Sequence, residues 1–217
     1  MIEISRRVGL AEQPLHHQDR SLLNLDVGLF GVFDGVGSMA RSGEAAALAA
    51  GVIERRCIDA GAPSVQGLVD GCVEADRLIF ERRLGATTAT VVWIGGFELQ
   101  FVSVGDSRLY HCSQHGTLAQ VTRDEGNGHV LDNVLGLGAA RRPDEVAPQR
   151  GTLELAPGDV LLLVTDGITG DYPPDLITAA DLSEAIEGCD DPELAARRLV
   201  QLARKRDDRT GLVAFLD

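Results

Sequence analysis

The chain has 217 residues, 44% of them hydrophobic and 24% charged, enough to bury a sizeable core; the expectation is one domain spanning 1–217, and two small ones also fit the length. A formal charge of −13 speaks against a nucleic-acid surface, which needs clustered Lys and Arg, and no apolar run is long enough to cross a bilayer. Cys57, Cys72, Cys112 and Cys189 form no CxxC pair and the N-terminus has no signal-type apolar core, so the expectation is a reduced protein of the cytoplasm without zinc or disulfides.

Residues 26–33, DVGLFGVF, predict a strand that stops at Asp34-Gly35. A helix is expected over 41–60, with Glu44 early. After the turn GAPS a second helix follows over 65–84, where Leu68, Val69, Cys72, Val73, Leu78 and Ile79 fall near helical spacing. The texture then changes. TTATVVWIGG, FELQFVSVGDSRLYHC and GTLAQVT are rich in β-branched residues, are separated by Gly-Gly and His-Gly turns, and predict an antiparallel meander. Residues 124–151 are rich in Gly and charge and are expected to be irregular. DVLLLVTDG predicts a buried strand behind the Pro-Gly turn of LAPGD. In the last helix Asp191 caps the start, Pro192 suits the first turn, and Arg204, Lys205 and Arg206 suit the C-terminal dipole end. TGLVAFLD closes the chain as a strand. The pattern is α+β, most simply a layered sandwich of sheets and helices.

Acidic turns recur at the edges of these apolar runs: HHQDR (Asp19), VFDGVGS (Asp34), VGDSR (Asp106), VTDGITG (Asp166) and RKRDDRTG (Asp207, Asp208). A single Asp-Gly is ordinary turn chemistry. Strand ends that converge, however, would crowd these carboxylates into one cleft, where they repel one another. Oxygen-ligated cations such as Mg²⁺ or Mn²⁺ remove that cost. Gly35, lacking a Cβ, lets the backbone approach an ion and offers its carbonyl as a ligand. No HExxH, GxSxG or P-loop supports a rival catalytic reading.

The order of these motifs resembles the metal-dependent serine/threonine protein phosphatases of type 2C, the PPM family, in its bacterial short form. The resemblance rests on HQD at 17–19, VFDGVGS at 32–38, SGEAA at 42–46, GATTAT at 85–90 and VGDSRLY at 104–110. TRDE at 122–125, PGDVLLLVTDG at 157–167 and DDRT at 207–210 extend it over nearly the whole chain. It implies a four-layer α-β-β-α sandwich of two antiparallel sheets flanked by helices, with two Mg²⁺ or Mn²⁺ ions at one end. By motif match Asp34 would bridge both ions, the Gly35 carbonyl would bind one of them, and Asp166 and Asp207 would complete the other site. Asp19 would act through metal-bound water, and Asp106 with Asp166 would hold a third, weaker ion. Asp34, Asp166 and Asp207 are thus the implied catalytic set. A pair of ions roughly 3.5–4 Å apart lowers the pKa of a water and clamps phosphoryl oxygens, so no nucleophilic Ser or Cys is required.

Several positions depart from the family pattern. The Arg that grips the substrate phosphate is Pro14 here, leaving Arg6, Arg7 and Arg20 as candidates. His17 replaces the usual Asn, and His16 and His17 offer a general acid or an incidental exposed pair. Gln18 replaces a frequent Glu, and Val36 stands where eukaryotic members carry a His. Glu125 replaces the His of TRDH, and Asp208 replaces an Asn. The flap between TRDE and LAPGD looks shortened, with NVLGLG keeping its far end. The implied partner is a phosphorylated protein, the substrate of a serine/threonine kinase. A partner-binding regulator without turnover and a small-molecule or nucleotide phosphohydrolase are the competing readings.

Overall fold

A computed structural model describes residues 5–60, 64–114, 116–126, 130–137 and 146–217. The turn residues 61–63, His115 of the His-Gly turn, and positions 127–129 and 138–145 of the segment expected to be a shortened flap lie outside them.

Among the described residues ten strands form two antiparallel sheets of five. The first has the order β1 (Arg6–Gln13), β10 (Arg209–Leu216), β9 (Val160–Val164), β6 (Arg108–Cys112), β7 (Leu118–Gln120). The second has the order β2 (Arg20–Asn24), β3 (Leu29–Phe33), β4 (Ala89–Gly95), β5 (Glu98–Val104), β8 (Gln149–Glu154). Alternation along the central strands divides their side chains between two layers. Phe30, Val32, Leu109, Leu161, Leu163 and Leu212 fill the space between the sheets. Leu29 and Phe33 point the other way, into a layer shared with α1 (Ser42–Asp59) and α2 (Val65–Arg82). Tyr110, Leu162, Val164, Val213 and Phe215 pack on α4 (Ala179–Ile186) and α5 (Pro192–Leu202). The result is the four-layer α-β-β-α sandwich.

The starts of α2, α4 and α5 follow their caps. Ser64 accepts the Gly67 N–H at 3.1 Å, and Asp191 accepts the Glu193 N–H at 3.0 Å ahead of Pro192. Thr178 and Asp181 form a capping box on α4, a helix the sequence reading did not separate.

The structure corrects three expectations. The meander is split: β4 and β5 pair in one sheet, while β6 and β7 belong to the other. The chain crosses between sheets at Gly105–Ser107, with Gly105 at φ +99° and backed so closely by Thr88 that a Cβ would lie 2.7 Å from Thr88 Cγ2. The stretch expected to be irregular ends in β8, an edge strand of alternating burial that starts at Gln149. Helix α5 stops at Leu202, because Ala203 is extended (φ −58°, ψ 140°). Arg204, Lys205 and Arg206 therefore lie beyond the helix and do not serve its dipole. The edge strands β1 and β2, half exposed and weakly patterned, also went unread.

Candidate metal centre

Strand register gathers the acids at one end of the sandwich. Arg20 pairs with Phe33, which sets Asp19 beside Asp34 at the edge of the second sheet. Gly211 and Arg108 both pair with Val164, which brings Asp207, Asp208 and the Asp106 crossover to the end of β9, where Asp166 opens the single turn α3 (Asp166–Thr169).

Hydroxyls tie the two sheets together at this point. Thr88 Oγ1 accepts the Asp34 N–H at 3.0 Å and lies 2.8 Å from Ser107 Oγ, beside Asp106. The Thr87 hydroxyl donates to the Asp34 carbonyl at 2.9 Å. Across the seam, the Thr165 and Thr210 hydroxyls both donate to Asp19 Oδ2, at 2.9 and 2.7 Å. The other oxygen, Asp19 Oδ1, is buried without a hydrogen-bond partner among the described residues, and so is Asp166 Oδ1. Buried anionic oxygens left this way are costly unless a cation meets them.

The protonation equilibria reflect that crowding. Burial, reinforced by Asp166 and Asp19, raises the Asp34 carboxyl well above the usual range. Burial pushes Asp19 up to about 7, partly offset by the two threonine hydroxyls. Asp106 also rises to about 7, through burial and then repulsion from Asp166. Such a set of hard oxygen donors fits Mg²⁺ or Mn²⁺.

Close packing explains the glycines. A Cβ on Gly35 would lie 2.7 Å from the Ser42 carbonyl carbon and 2.9 Å from the Gln18 carbonyl oxygen, since the start of α1 presses on both segments. On Gly167 it would fall 1.7 Å from the Asp208 carbonyl oxygen.

Asp208, which stands where the family pattern has an Asn, has a different setting from the acids of the cleft. Its carboxylate accepts the backbone N–H groups of Leu15, His16 (2.6 Å), His17 (3.3 Å), Gln18 (2.5 Å) and Asp19 (3.2 Å). Burial opposes its ionisation, yet these donors outweigh burial and bring the pKa down to about 2. The His16 and His17 side chains are exposed, and these residues meet the site through their backbones. Glu125 also has a structural position: Oε2 accepts from Gly105 N–H at 3.1 Å and from Asn133 Nδ2 at 2.9 Å, bracing the crossover.

Of the candidate phosphate ligands, Arg6 donates to the Ile94 carbonyl and Arg7 pairs with Asp217, both at the opposite end of the sheets. Arg20 is nearer but spends its guanidinium on the His17 and Asp19 carbonyls. The structure instead shows three residues that sequence reasoning missed. Lys205 Nζ bonds Asp166 and lies 3.2 Å from Asp171 and 3.3 Å from Asp207. Asp171 sets one oxygen within 4.8 Å of ligand oxygens of Asp106 and Asp166. Arg83, the left-handed C-cap of α2, lines the cleft. That cleft, of about 990 Å³, opens over Asp34, Gly35, Asp106, Asp166 and Asp207, with Met39, Phe80, Val130, Leu131, Val134 and Leu137 as an apolar wall. Among the described residues no helix is long and apolar enough to cross a membrane.

The family profile described as Stage II sporulation protein E matches residues 32–215. The Probable protein phosphatase 2C 55 of Arabidopsis thaliana is 27% identical over 184 residues, covering 81% of this chain but only 37% of the plant protein's length. The PPM Ser-Thr phosphatase MsPP from Mycobacterium smegmatis, solved in complex with cacodylate, is 27% identical with a TM-score of 0.79, covering 100% of each chain. The catalytic domain of the serine threonine protein phosphatase PstP, solved with 2 manganese ions, shares the fold at 21% identity and a TM-score of 0.76, covering 98% of this chain and 99% of that one. The profile match over residues 32–215, on a fold that MsPP covers end to end, places the chain in the Stage II sporulation protein E family of PPM-type phosphatase domains.

Proposed function

We propose that the protein is a metal-dependent phosphoprotein phosphatase that hydrolyses phosphoserine and phosphothreonine. The observation that carries this reading is the convergence of Asp34, Asp166 and Asp207 on one cleft, beside two buried carboxylate oxygens that lack partners. Asp34, the Gly35 carbonyl, Asp166 and Asp207 would hold two Mg²⁺ or Mn²⁺ ions, the number found in the PstP crystal structure. Asp19 would accept from a water of their shell, and Asp106 with Asp166 would hold a third ion. When bound, such ions supply Lewis-acid chemistry, lowering the pKa of a water and neutralising phosphoryl oxygens.

The chain's own groups do the rest. Thr165 and Thr210 fix the Asp19 carboxylate so that only Oδ1 is free to orient a water. Arg83, whose guanidinium has no partner among the described residues, supplies positive charge for the phosphate in place of the Arg that Pro14 replaces. The apolar wall takes the side chains flanking the phosphorylated residue of a protein substrate. None of the four cysteines lines the cleft, in keeping with attack by water rather than by a thiol.

The test is hydrolysis of p-nitrophenyl phosphate and of a phosphothreonine peptide by the purified protein in Mn²⁺ or Mg²⁺. Turnover should stop in chelator and fall on the order of 10³-fold in Asp34→Ala, the scale of a lost electrostatic stabiliser. Metal-bound protein without turnover would refute the enzyme.

A further inference from the structure

We propose that Lys205 is a tethered cation that competes with divalent ions for the Asp166–Asp207 face of the centre. This rests on the metal-centre reading above and adds a residue that limits metal affinity.

The placement of the lysine is built, not incidental. Because α5 ends at Leu202 and Ala203 is extended, the segment 203–206 leaves the helix axis and runs across the acidic end of the sandwich. Arg209 fixes its course, donating to the Lys205 carbonyl at 2.8 Å and to the Val200 carbonyl at 3.4 Å, and Arg204 donates to the Pro174 carbonyl at 3.2 Å. Only Lys205 of the basic trio is thereby directed at the carboxylates.

An ammonium has three donors, and three carboxylates surround this one: Asp166, Asp171 and Asp207. It is 21% exposed and forms the only ion pairs to the centre's acids among the described residues. Two carboxylates that converge on one ammonium converge on the same point for an ion. A divalent cation held jointly by Asp166 and Asp207 must therefore displace Nζ, breaking charge-assisted hydrogen bonds as it enters.

Two consequences follow from that exchange. Before metal arrives, Lys205 offsets part of the repulsion among Asp166, Asp171 and Asp207, so the acidic end can fold around its own cation. When metal arrives, the same contacts are a cost that an uncharged side chain would not impose. Lys205 thus stabilises the metal-free state and weakens metal binding.

The experiment is Mn²⁺ titration of chelator-stripped wild type, Lys205→Met and Lys205→Arg by calorimetry, with thermal melts over a Mn²⁺ series. Lys205→Met should bind Mn²⁺ about tenfold or more tightly, the scale of one lost charge-assisted bond, and should melt lower than wild type without metal. Lys205→Arg, which keeps the charge, should retain the weaker wild-type affinity. If Lys205→Met folds only with metal, the dependence of its melting temperature on Mn²⁺ gives the affinity by linkage. Equal or weaker Mn²⁺ binding in Lys205→Met overturns the role of Lys205 while leaving the centre intact. Failure of all three proteins to bind Mn²⁺ removes the metal centre itself, and the competition with it.

Discussion

The Asp208 carboxylate accepts the backbone N–H of Asp19 at 3.2 Å, joining the first acidic motif of the chain to the last. Four further N–H groups, from Leu15 to Gln18, meet the same carboxylate. At 2% exposure, Asp208 acts as an anion around which the loop before β2 is wrapped. Its neighbour Asp207 faces the cleft, so adjacent aspartates of one motif have opposite duties.

Asp208→Asn should destabilise the protein by about 2–4 kcal/mol, because an amide cannot satisfy five converging donors and presents donors of its own. Urea unfolding of the metal-free protein measures this. With the folded pKa lowered to about 2, the contribution of Asp208 is complete above the unfolded carboxylate range near ~4 and is lost as pH falls through about 2. Asp208→Asn should therefore narrow its gap to wild type only in strong acid.

The paired hydroxyls on Asp19 predict a second result. Thr165→Val and Thr210→Val each remove one donor from Asp19 Oδ2 while keeping side-chain shape. Each should lower kcat by about 10–100-fold, the usual cost of losing a partner that orients a metal-site group. The double variant should fall short of the product of the two, since both act on one carboxylate. Steady-state kinetics at saturating Mn²⁺ would show it.

The raised carboxyls give a pH dependence of opposite sign to that of Asp208. Asp19 and Asp106 sit near about 7, and Asp34 is raised well above the ordinary value. A folded pKa above the unfolded one means that the folded state binds protons more tightly, so the penalty is full above the folded pKa and is relieved as pH falls below it. The melting temperature in chelator should therefore rise as pH drops from 8 to 5.5. In saturating Mn²⁺ the same carboxylates must stay ionised, and the trend should reverse. Differential scanning fluorimetry over that range checks both limbs, and a flat profile in chelator would contradict the crowding.

Arg83 carries the fourth prediction. Arg83→Glu should raise KM for a phosphothreonine peptide on the order of tenfold with a smaller change in kcat, as expected for charge that acts mainly on binding. Arg83→Lys should recover most of the loss. Equal effects on both constants would place the residue outside phosphate binding.

Much of the architecture was legible because its central elements are strongly patterned. The continuous apolar runs of β3 and β9 and the caps on α2 and α5 declare themselves locally. What could not be read depends on relations between distant segments. No local signal tells that β5 and β6 part company at Gly105. A run of β-branched residues fits a hairpin as well as a crossover, and the contact that marks the crossover is with Thr88, across the end of the β4–β5 hairpin. The acids of the centre stood out by their turns. Their supporting threonines did not, since Thr165 and Thr210 read as ordinary strand-end residues. Lys205 was misread for a related reason: with α5 taken a few residues too long, its charge was assigned to the helix dipole and not to the carboxylates.

The seam between the sheets has a mechanical meaning. Asp34 and Asp19 adjoin strands of one sheet, Asp166 and Asp207 strands of the other, and the layer between them is filled by apolar side chains such as Phe30, Val32 and Leu163. Any sliding of one sheet over the other would change the spacing of the carboxylates before it disturbed either sheet. A cation held by acids of both sheets would be a rivet as well as a reagent, and its affinity would measure how well the two halves of the sandwich are aligned. A substitution deep in the intersheet layer, such as at Leu163 or Val32, would be felt first as loosened metal and only later as lost structure.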